Sequence, residues 1–362
     1  MKELIYWVAF NHLTGIGPVR FQRLLDTFGT ASAGWNASEK DLEKCLGPQV
    51  VQSVVGERNS LDPEKMVQKY TSEGIGMIPI TDDRYPELLK TISHPPFLLY
   101  QRGDFDFRSH EKYVAIVGTR RASQYGRKVV RFLARELAQE GWVIVSGLAL
   151  GIDGEAHRGA LEGGGHTIAV LGTGVEVVYP GSHRGLAHEI IDRGGALVSE
   201  FVPSCGPQRE NFPVRNRIIS GLSLGVLVAE APRKSGALIT TDFALEQGRE
   251  VMAVPGSIFS PASEGTNQLI AQGAKLVQNI EDVVEALGFL SGKKSFTVST
   301  PPVEELNEEE KELFSFLDYP GLYTEEFLQK CGWEPGRFYR VLLSLEMKKV
   351  VQTGPGGKIC LS

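Results

Sequence analysis

The sequence predicts an α/β protein built on a Rossmann-like, doubly wound, mostly parallel sheet. Between residues 112 and 290 there are seven short runs of mainly apolar, often β-branched residues, and amphipathic stretches separate several of them. Strands that are buried on both faces have this composition. Strands that alternate with helices form parallel sheets. We therefore expect one large sheet in this region, with helices packed against it.

The predicted strands follow one another at intervals that leave room for helices. They are YVAIVG (113–118), WVIVSG (142–147), HTIAVLG (166–172), ALVSE (196–200), LGVLVAE (224–230), EVMAVPG (250–256) and AKLV (274–277). A helix is predicted over 125–140, because apolar residues recur there at helical spacing. These residues are Val130, Leu133, Ala134 and Leu137.

The regions outside the predicted sheet differ in composition. Residues 1–75 predict a small N-terminal domain of short helices, of the helix-hairpin-helix or SAM-like kind. Residues 76–111 contain four prolines and predict a connector that wraps over a surface. A polar linker is predicted at 291–303. Residues 304–362 predict three helices and a hairpin around residues 354–357, which is the outline of a winged helix.

Composition and charge exclude several classes of protein. Hydrophobic residues make up 42% of the 362 residues, which excludes wholesale disorder. The net charge of −6 excludes nucleic-acid binding by bulk charge, so any polyanion site must be a local patch. The four cysteines lie far apart, as in proteins of reducing compartments. No apolar run is long enough to span a membrane. We expect a cytoplasmic protein.

Small polar residues cluster where the predicted strands end. Ligands of open α/β sheets bind beyond the carboxyl ends of the strands. Backbone N–H groups and helix N-termini at such ends attract anions. The sequence therefore predicts a phosphate-binding edge. Its members are Gly118, Thr119, Ser123, Ser146, Gly147, Gly172, Gly174, Ser235 and Gly236.

Basic residues are concentrated near the same edge. Residues 112–135 carry seven cations and no carboxylate. Arg120 directly follows the glycine at a strand tip, so we predict that it contacts phosphate. Lys234 lies close to another strand end. Arg127, Arg131 and Arg135 share one helix face, and the sequence leaves open whether that face binds a ligand or is only solvated.

No cofactor, metal or catalytic site is predicted. The segment GTRRASQYG lacks the G-x-G-x-x-G dinucleotide fingerprint, and the chain has no P-loop. His183 and His188 are five residues apart and do not share a helix face as a metal pair would. Asp153 and His157 are interpreted as a capping and packing pair. Because these ligand classes are excluded, a polymer of phosphates is the favoured ligand.

Five motifs, in order, closely resemble the DNA processing protein A (DprA/Smf) family. They are SGLALGIDGEAHRGAL (146–161), GTGVEVVYP (172–180), FPVRNRIISGLS (212–223), SGALITTDFALEQGREVMAVPG (235–256) and EGTNQLIAQGAKLV (264–277). The resemblance implies a bacterial cytosolic protein that binds single-stranded DNA and helps load the RecA recombinase in natural transformation. It also implies a homodimer without a dedicated catalytic activity, and residues 264–289 are a candidate surface for self-association.

The resemblance also implies roles for particular residues. The family's glycine-any-arginine motif falls on Gly118–Arg120, which gives Arg120 the phosphate-binding role. The F-P-x-R-N-R segment falls on residues 212–217 and brings Arg215, Asn216 and Arg217 into the expected site. Many members carry a DNA-contacting lysine where this chain has Gly181, and we expect Arg184 to supply that charge.

Aromatic residues of these motifs are candidates for stacking on bases. We expect Tyr179 to stack on a base, as aromatic residues do in proteins that bind single strands. Phe212 fits stacking or the core.

Other interpretations remain open at this point. Residues 13–18 (LTGIGP) look like the hairpin of a helix-hairpin-helix unit, which could approach a phosphate or serve packing. Residues 303–362 carry eleven acidic and seven basic side chains, which favours protein contact over duplex reading. The rival functions are a duplex-DNA regulator acting through the winged helix, and a nucleotide phosphoribohydrolase like the LOG family. The LOG motif is incomplete here, since residues 235–240 lack its double glycine and glutamate.

Overall fold

The computed structural model describes residues 2–289, 307–316, 322–348, 351–353 and 358–361. The predicted linker at 291–303 and the predicted hairpin turn at 354–357 lie outside these ranges. The chain divides into two compact units, Met1–Gly288 and Phe289–Ser362.

The first unit begins with short helices around an aromatic core. These are α1 (Leu4–His12), α2 (Pro18–Phe28), α3 (Ala31–Trp35), α4 (Glu39–Leu46), α5 (Pro48–Arg58) and α6 (Pro63–Ser72). Trp7 and Phe10 of α1 pack edge-on against Phe21 of α2, and Phe10 also meets Trp35. Edge-to-face aromatic pairs of this kind add to the burial of their apolar area. The N-terminal helical region predicted from the sequence is therefore a packed bundle.

Within the described residues, a nine-stranded sheet forms the centre of the first unit. Its strands are β1 (Ile75–Pro79), β2 (Leu98–Arg102), β3 (Tyr113–Gly118), β4 (Val143–Ser146), β5 (Thr167–Val170), β6 (Ala196–Ser199), β7 (Gly225–Glu230), β8 (Glu250–Ala253) and β9 (Lys275–Leu276). Their spatial order is β1-β2-β6-β5-β4-β3-β7-β8-β9, and β3 to β9 are parallel. The predicted mostly parallel sheet is confirmed.

The strand order reverses beside β3. After β3 the chain builds β4, β5 and β6 on one side, and it then returns to place β7, β8 and β9 on the other side. β3 and β7 are therefore adjacent strands, and the chain continues from them toward opposite sides of the sheet: from β3 to β4 and from β7 to β8. Ligands of such sheets bind in the crevice at this switch point.

Strands β1 and β2 lie in the region predicted to be a connector, so the connector interpretation missed them. They pair antiparallel with each other, and β2 also pairs with β6. The reason is burial on both faces. Met77 and Tyr100 face the core of the N-terminal helices, whereas Ile78 and Leu99 face the core of the sheet.

Helices surround the sheet and connect its strands. They are α7 (Glu87–Lys90), α8 (Gln124–Gln139), α9 (Ile152–Glu162), α10 (Arg184–Asp192), α11 (Asn211–Gly221), α12 (Gly236–Glu246), α13 (Glu264–Ala271) and α14 (Ile280–Ala286). α8 confirms the helix predicted over 125–140, with its four expected apolar residues buried. No helix in the described ranges is long and apolar enough to cross a membrane.

The second unit has the predicted winged-helix elements. They are α15 (Glu308–Ser315), β10 (Leu322–Tyr323), α16 (Thr324–Cys331), α17 (Pro335–Met347), β11 (Val351–Thr353) and β12 (Lys358–Leu361). β12 pairs antiparallel with both β10 and β11. Leu313, Phe327 and Phe338, one from each helix, are buried together in its core.

Two glycines let α8 and α9 approach each other closely. A Cβ at Gly159 would lie 2.5 Å from the carbonyl oxygen of Arg131, and one at Gly163 would lie 2.5 Å from that of Arg135. Both carbonyls belong to the backbone of α8, so neither can yield as a flexible side chain would. The close approach of these helices requires the absence of side chains at these two positions.

We predict that Gly159→Ala destabilises the protein. The new methyl group must push α8 and α9 apart, and overpacking of this kind costs roughly 1–3 kcal/mol. The matched control is Gly56→Ala in α5, where a Cβ would meet nothing within 4 Å. Thermal unfolding followed by circular dichroism should show a lower midpoint for Gly159→Ala and an equal or higher one for Gly56→Ala. Equal midpoints for the two variants would contradict the packing argument.

Candidate nucleic-acid interface

A cleft of about 800 Å³ opens at the carboxyl ends of β3 and β7, which is the switch point of the sheet. Its walls come from the loop after β3, the loop after β7 and the first turns of α11 and α12. This is the edge of the sheet at which the sequence predicted a ligand site.

The cleft brings together nine of the sixteen residues expected at the site. They are Gly118, Thr119, Arg120, Tyr179, Arg215, Asn216, Lys234, Ser235 and Gly236. The other seven do not line it: Ser123, Ser146, Gly147, Gly172, Gly174, Arg184 and Arg217. Arg184 is exposed at the start of α10, and the remaining six hold the surrounding structure together, as described below.

Four exposed cations line the cleft: Arg120, Arg121, Arg209 and Lys234. None of their side chains forms an ion pair within the described part of the chain. Arg209 was not predicted from the sequence, because it lies in the polar loop before α11 and belongs to none of the five family motifs. An exposed cation in a loop carries no periodic signal, so only the fold could place it here.

Two aromatic rings form one wall of the cleft. The rings of Tyr179 and Phe212 lie 5.6 Å apart, and the guanidinium of Arg120 lies 5.7 Å from the Phe212 ring. Phe212 is half-buried because it covers Gly172, where a Cβ would meet its ring at 2.7 Å. Tyr179 is 47% exposed. Phe212 is therefore a supporting residue, and Tyr179 is the ring of this wall that is more open to solvent.

Arg215 lines the cleft from below but is only 4% exposed. Its guanidinium donates to the carbonyl oxygens of Gly147 (2.9 Å) and Val170. Burial lowers its pKa to about 10, against the favourable charge of Asp153. Burial likewise raises the pKa of Asp153, which Arg215 offsets. The expected phosphate contact of Arg215 is thus replaced by internal bonds that join two strand ends.

Arg217 is committed to a different interaction. Its guanidinium donates to a carboxylate oxygen of Glu200 at 2.6 Å, and both side chains are largely buried. Arg215 and Arg217 are two residues apart on α11, so they leave the helix in nearly opposite directions. The expected role of Arg217 at the nucleic acid is corrected by this placement, which makes Arg217 a structural residue.

Internal carboxylates occupy backbone N–H groups that the sequence assigned to phosphate. Asp153 accepts from the amides of Gly147 (3.2 Å) and Ala149 (3.4 Å). Glu230 accepts from the amide of Ser123 at 2.7 Å, beside the N-terminus of α8. The hydroxyl of Ser123 in turn caps α8, since it accepts from the Gly126 amide. These two loops are therefore satisfied from within the protein.

The glycines at the strand ends serve close packing more than ligand approach. A Cβ at Gly118 would lie 2.7 Å from the carbonyl oxygen of Glu230, and one at Gly174 would collide with the carbonyls of Val202 and Pro203. At Gly236 a Cβ would meet nothing within 4 Å. The hydroxyl of Ser146 is also internal, because it donates to the carbonyl of Ile116.

The charged stripe on α8 faces its neighbour α9. Arg131 pairs with Glu155 and Glu162 of α9, and Arg127 lies 3.8 Å from Glu155. Arg135 pairs with Glu136 on its own helix. The sequence left open whether this arginine face binds a ligand. Because each of its three arginines has a carboxylate partner, its positive charge is neutralised within the protein.

The other sequence candidates have internal partners too. His157 is buried and bonded to the Thr167 hydroxyl at 2.7 Å, and burial lowers its pKa to about 3. The Thr14 amide, in the turn between α1 and α2, donates to the Glu57 carboxylate at 2.8 Å. A carboxylate therefore already sits where a phosphate would approach that turn.

The third helix of the winged-helix unit, α17, presents an apolar face to solvent. Tyr339, Leu343 and Met347 are exposed at intervals of four residues. Arg337 and Arg340, the cations of this helix, both pair with Glu309 of α15. Among the described residues of this helix, no cation is left without a carboxylate partner, whereas a recognition helix contacts a duplex with free positive charge.

Comparisons with known proteins identify the family. The family model described as DNA recombination-mediator protein A matches residues 76–288, and the DprA winged helix domain matches residues 297–357. The chain belongs to the DprA/Smf family. It is 46% identical over 223 residues to DNA processing protein DprA of Bacillus subtilis, covering 62% of this chain and 75% of that protein. It is 40% identical over 289 residues to protein Smf of Escherichia coli, covering 79% and 77%.

Two solved DprA structures are similar to this DprA/Smf chain. The X-ray structure of DprA from Streptococcus pneumoniae has a TM-score of 0.67 at 37% identity and covers 78% of this chain and 96% of that one. A DprA structure from Helicobacter pylori has a TM-score of 0.53 at 31% identity and covers 59% and 95%. The Helicobacter pylori structure is described as giving insights into the single-stranded DNA binding mode of that protein.

We predict that Arg215→Lys destabilises this DprA/Smf protein. A single ammonium cannot reproduce the guanidinium bonds to two strand ends, and a buried carbonyl that loses its hydrogen bond costs roughly 1–3 kcal/mol. Urea unfolding measures the change. The control is Arg209→Lys, which alters an exposed cleft arginine and should leave the midpoint within error. If Arg215→Lys unfolds at the same urea concentration as the native chain, the structural role assigned to Arg215 is wrong.

Proposed function

We propose that this protein binds single-stranded DNA along the cleft between β3 and β7 and acts there as a recombination mediator. The observation that carries the proposal is the set of four exposed, unpaired cations beside an aromatic wall. Among the described residues that line the cleft, Asp153 is the one carboxylate, and it is turned inward toward backbone amides and Arg215. A protein with a net charge of −6 thus concentrates positive charge at one place.

The phosphates of the strand would lie along two strand-end loops. Arg120 and Arg121 supply guanidinium groups that form charge-assisted, bidentate bonds with phosphate oxygens. Lys234 adds a point charge from the loop after β7. The N-terminus of α12, at Ser235 and Gly236, contributes positive helix-dipole potential next to an open backbone.

The aromatic wall favours an unpaired strand. A base can stack on Tyr179 only when its face is free, and in a duplex that face is covered by neighbouring base pairs. Stacking on an aromatic side chain is worth roughly 1–3 kcal/mol per base and depends little on base identity. Phosphate contacts carry no direct sequence information either. We therefore expect binding that is selective for single strands and largely indifferent to sequence.

Binding without catalysis fits the groups in the cleft. Asp153 already accepts two backbone hydrogen bonds and faces Arg215, so it is not free to act as a general base. The LOG-family motif, which serves catalysis in those enzymes, is also incomplete here, since residues 235–240 lack its double glycine and its glutamate. The proposal is thus a DNA-binding role without a dedicated catalytic activity.

The cellular setting is proposed from family membership. We propose that the protein protects incoming strands and helps to load RecA onto them in natural transformation, as a cytoplasmic homodimer. Single-strand binding by the Helicobacter pylori relative supports the first step. For the winged-helix unit we propose a protein contact, because α17 exposes apolar side chains while its arginines are paired.

We predict that Arg120→Ala weakens single-strand binding and flattens its salt dependence by roughly 0.7 units of log–log slope, the value for one phosphate contact on a single strand. Fluorescence anisotropy with labelled oligo(dT) at several salt concentrations measures both quantities. Arg108→Ala is the control, since this exposed arginine pairs with Asp106 ahead of the amino end of β3. If Arg120→Ala retains native affinity and slope, the cleft is not the site.

We also predict that the full chain binds a single strand at least about tenfold more tightly than a duplex of equal length, a difference of about 1.4 kcal/mol. Arg340→Ala should leave both affinities unchanged, because that arginine already pairs with Glu309. Competition titrations compare the two DNA forms directly. A preference for duplex that Arg340→Ala abolishes would favour the rival regulator.

A further inference from the structure

Two adjacent apolar side chains protrude from the loop after β8. Ile258 is 82% exposed and Phe259 is 90% exposed. Single exposed apolar residues are common on protein surfaces. An almost fully exposed isoleucine–phenylalanine pair is different, because both side chains lose favourable burial at the same place. This loop leaves the same edge of the sheet as the loops that form the cleft, since β7 and β8 are parallel neighbours.

The loop is held in place by specific bonds. Tyr125, in the first turn of α8, donates its hydroxyl to the carbonyl of Pro255 at 2.9 Å. The side chain of Asn267 accepts from the Gly256 amide (3.1 Å) and donates to the Gly256 carbonyl (3.0 Å). Because its base is braced on both sides, the loop presents Phe259 at little cost in conformational entropy.

The outer face of α8 continues this surface. Tyr125 is 50% exposed and Phe132 is 47% exposed, and Lys128 lies between them on the same face. The two rings are separated by seven residues, or roughly 10 Å along the helix axis. Arg121 lies just ahead of the helix and also lines the cleft. Arg121 therefore belongs both to the cleft and to the surface formed by the outer face of α8.

The cations of this surface are free, unlike those on the other face of α8. Arg121 and Lys128 form no ion pair within the described residues, whereas Arg127, Arg131 and Arg135 all have carboxylate partners. One helix thus carries a neutralised basic face toward α9 and an unneutralised one toward solvent. Unpaired cations alternating with exposed aromatic rings match the alternation of phosphates and bases in a single strand.

We propose that these residues form a second segment of the single-strand path, which receives the strand where it leaves the cleft at Arg121. We call this surface the α8 ledge; its members are Arg121, Tyr125, Lys128, Phe132, Ile258 and Phe259. Bases stack on Phe259 and on the rings of α8, and phosphates lie on Arg121 and Lys128. This inference rests on the proposed function and extends it from a cleft to a longer track.

A tryptophan at the ledge tests the stacking directly. In Phe259→Trp, oligo(dT) of about 20 nucleotides should quench the new fluorescence, whereas roughly four nucleotides, near the smallest single-strand site sizes, should fill the cleft without quenching it. The signal of the native tryptophans, Trp7, Trp35, Trp142 and Trp333, is subtracted by titrating the native chain in parallel. Leu245→Trp is the control, because Leu245 is exposed in the last turn of α12 and should not respond.

Removal of the apolar pair tests its contribution to affinity. The double variant Ile258→Ser/Phe259→Ser should bind the long oligonucleotide about tenfold more weakly, as expected for loss of about one stacked base. Its affinity for the short oligonucleotide should stay native. Leu245→Ser, which also removes an exposed apolar side chain, should leave both affinities native.

The outcomes separate the ledge from the cleft. If Arg120→Ala weakens binding but the double variant binds both lengths natively and the fluorescence of Phe259→Trp is not quenched, the ledge proposal fails and the cleft remains. If the native chain binds no single strand of any length, the proposed function fails. If the double variant changes from dimer to monomer in sedimentation velocity while keeping native DNA affinity, the surface is an interface between two copies and the proposal is overturned.

Discussion

The buried guanidinium of Arg215 is the interaction on which the edge of the sheet depends. It binds the carbonyl oxygens at the ends of two neighbouring strands, β4 and β5, and it faces the carboxylate of Asp153. That carboxylate holds the amides of the loop between β4 and α9. One charge thus fixes the relation of two strands and of the helices α9 and α11. Phe212 lies one turn earlier on α11, so the same anchoring sets the aromatic wall over Gly172.

At this edge of the sheet, carboxylates and cations are separated: the carboxylates lie inside and the cations lie at the surface. Asp153 and Glu230 point inward, where they accept from backbone amides, whereas the cations of the two strand-end loops, Arg120, Arg121 and Lys234, are exposed along the cleft. Amides that could hold an external anion are thereby filled by the protein's own carboxylates. What remains for a ligand is the N-terminus of α12 and, above all, a set of side-chain cations, which can adjust to a flexible polymer better than a rigid backbone cradle can. A phosphate chain with many conformations suits such a surface.

The sequence predicted most strands of the sheet correctly, but it predicted the roles of individual site residues less well. Apolar, β-branched runs report burial on both faces, so the strands from β3 to β8 were identifiable. The run AKLV also located β9, although both residues of that strand are exposed. β1 and β2 were missed because prolines dominate their surroundings, although Pro86, Pro95 and Pro96 lie between the strands and Pro79 ends one. The roles of Arg215 and Arg217 were not readable, since burial depends on which face of α11 meets the strands. The glycines correctly marked the edge of the sheet where the cleft lies, but not because a phosphate approaches them. At Gly118 and Gly174 a side chain is excluded by the protein's own backbone carbonyls.

The antiparallel pair β1–β2 has a consequence for the integrity of the whole first unit. One face of this pair completes the core of the N-terminal helices, which Val175 also joins, and the other completes the core of the sheet. β2 covers the side of β6 that would otherwise be bare. A chain beginning at Tyr113 would therefore expose a row of unpaired amides and carbonyls beside uncovered apolar side chains, which is the usual starting point for intermolecular strand addition. The β1–β2 pair, whose other face packs on the N-terminal helices, thus protects the edge of the sheet against self-association.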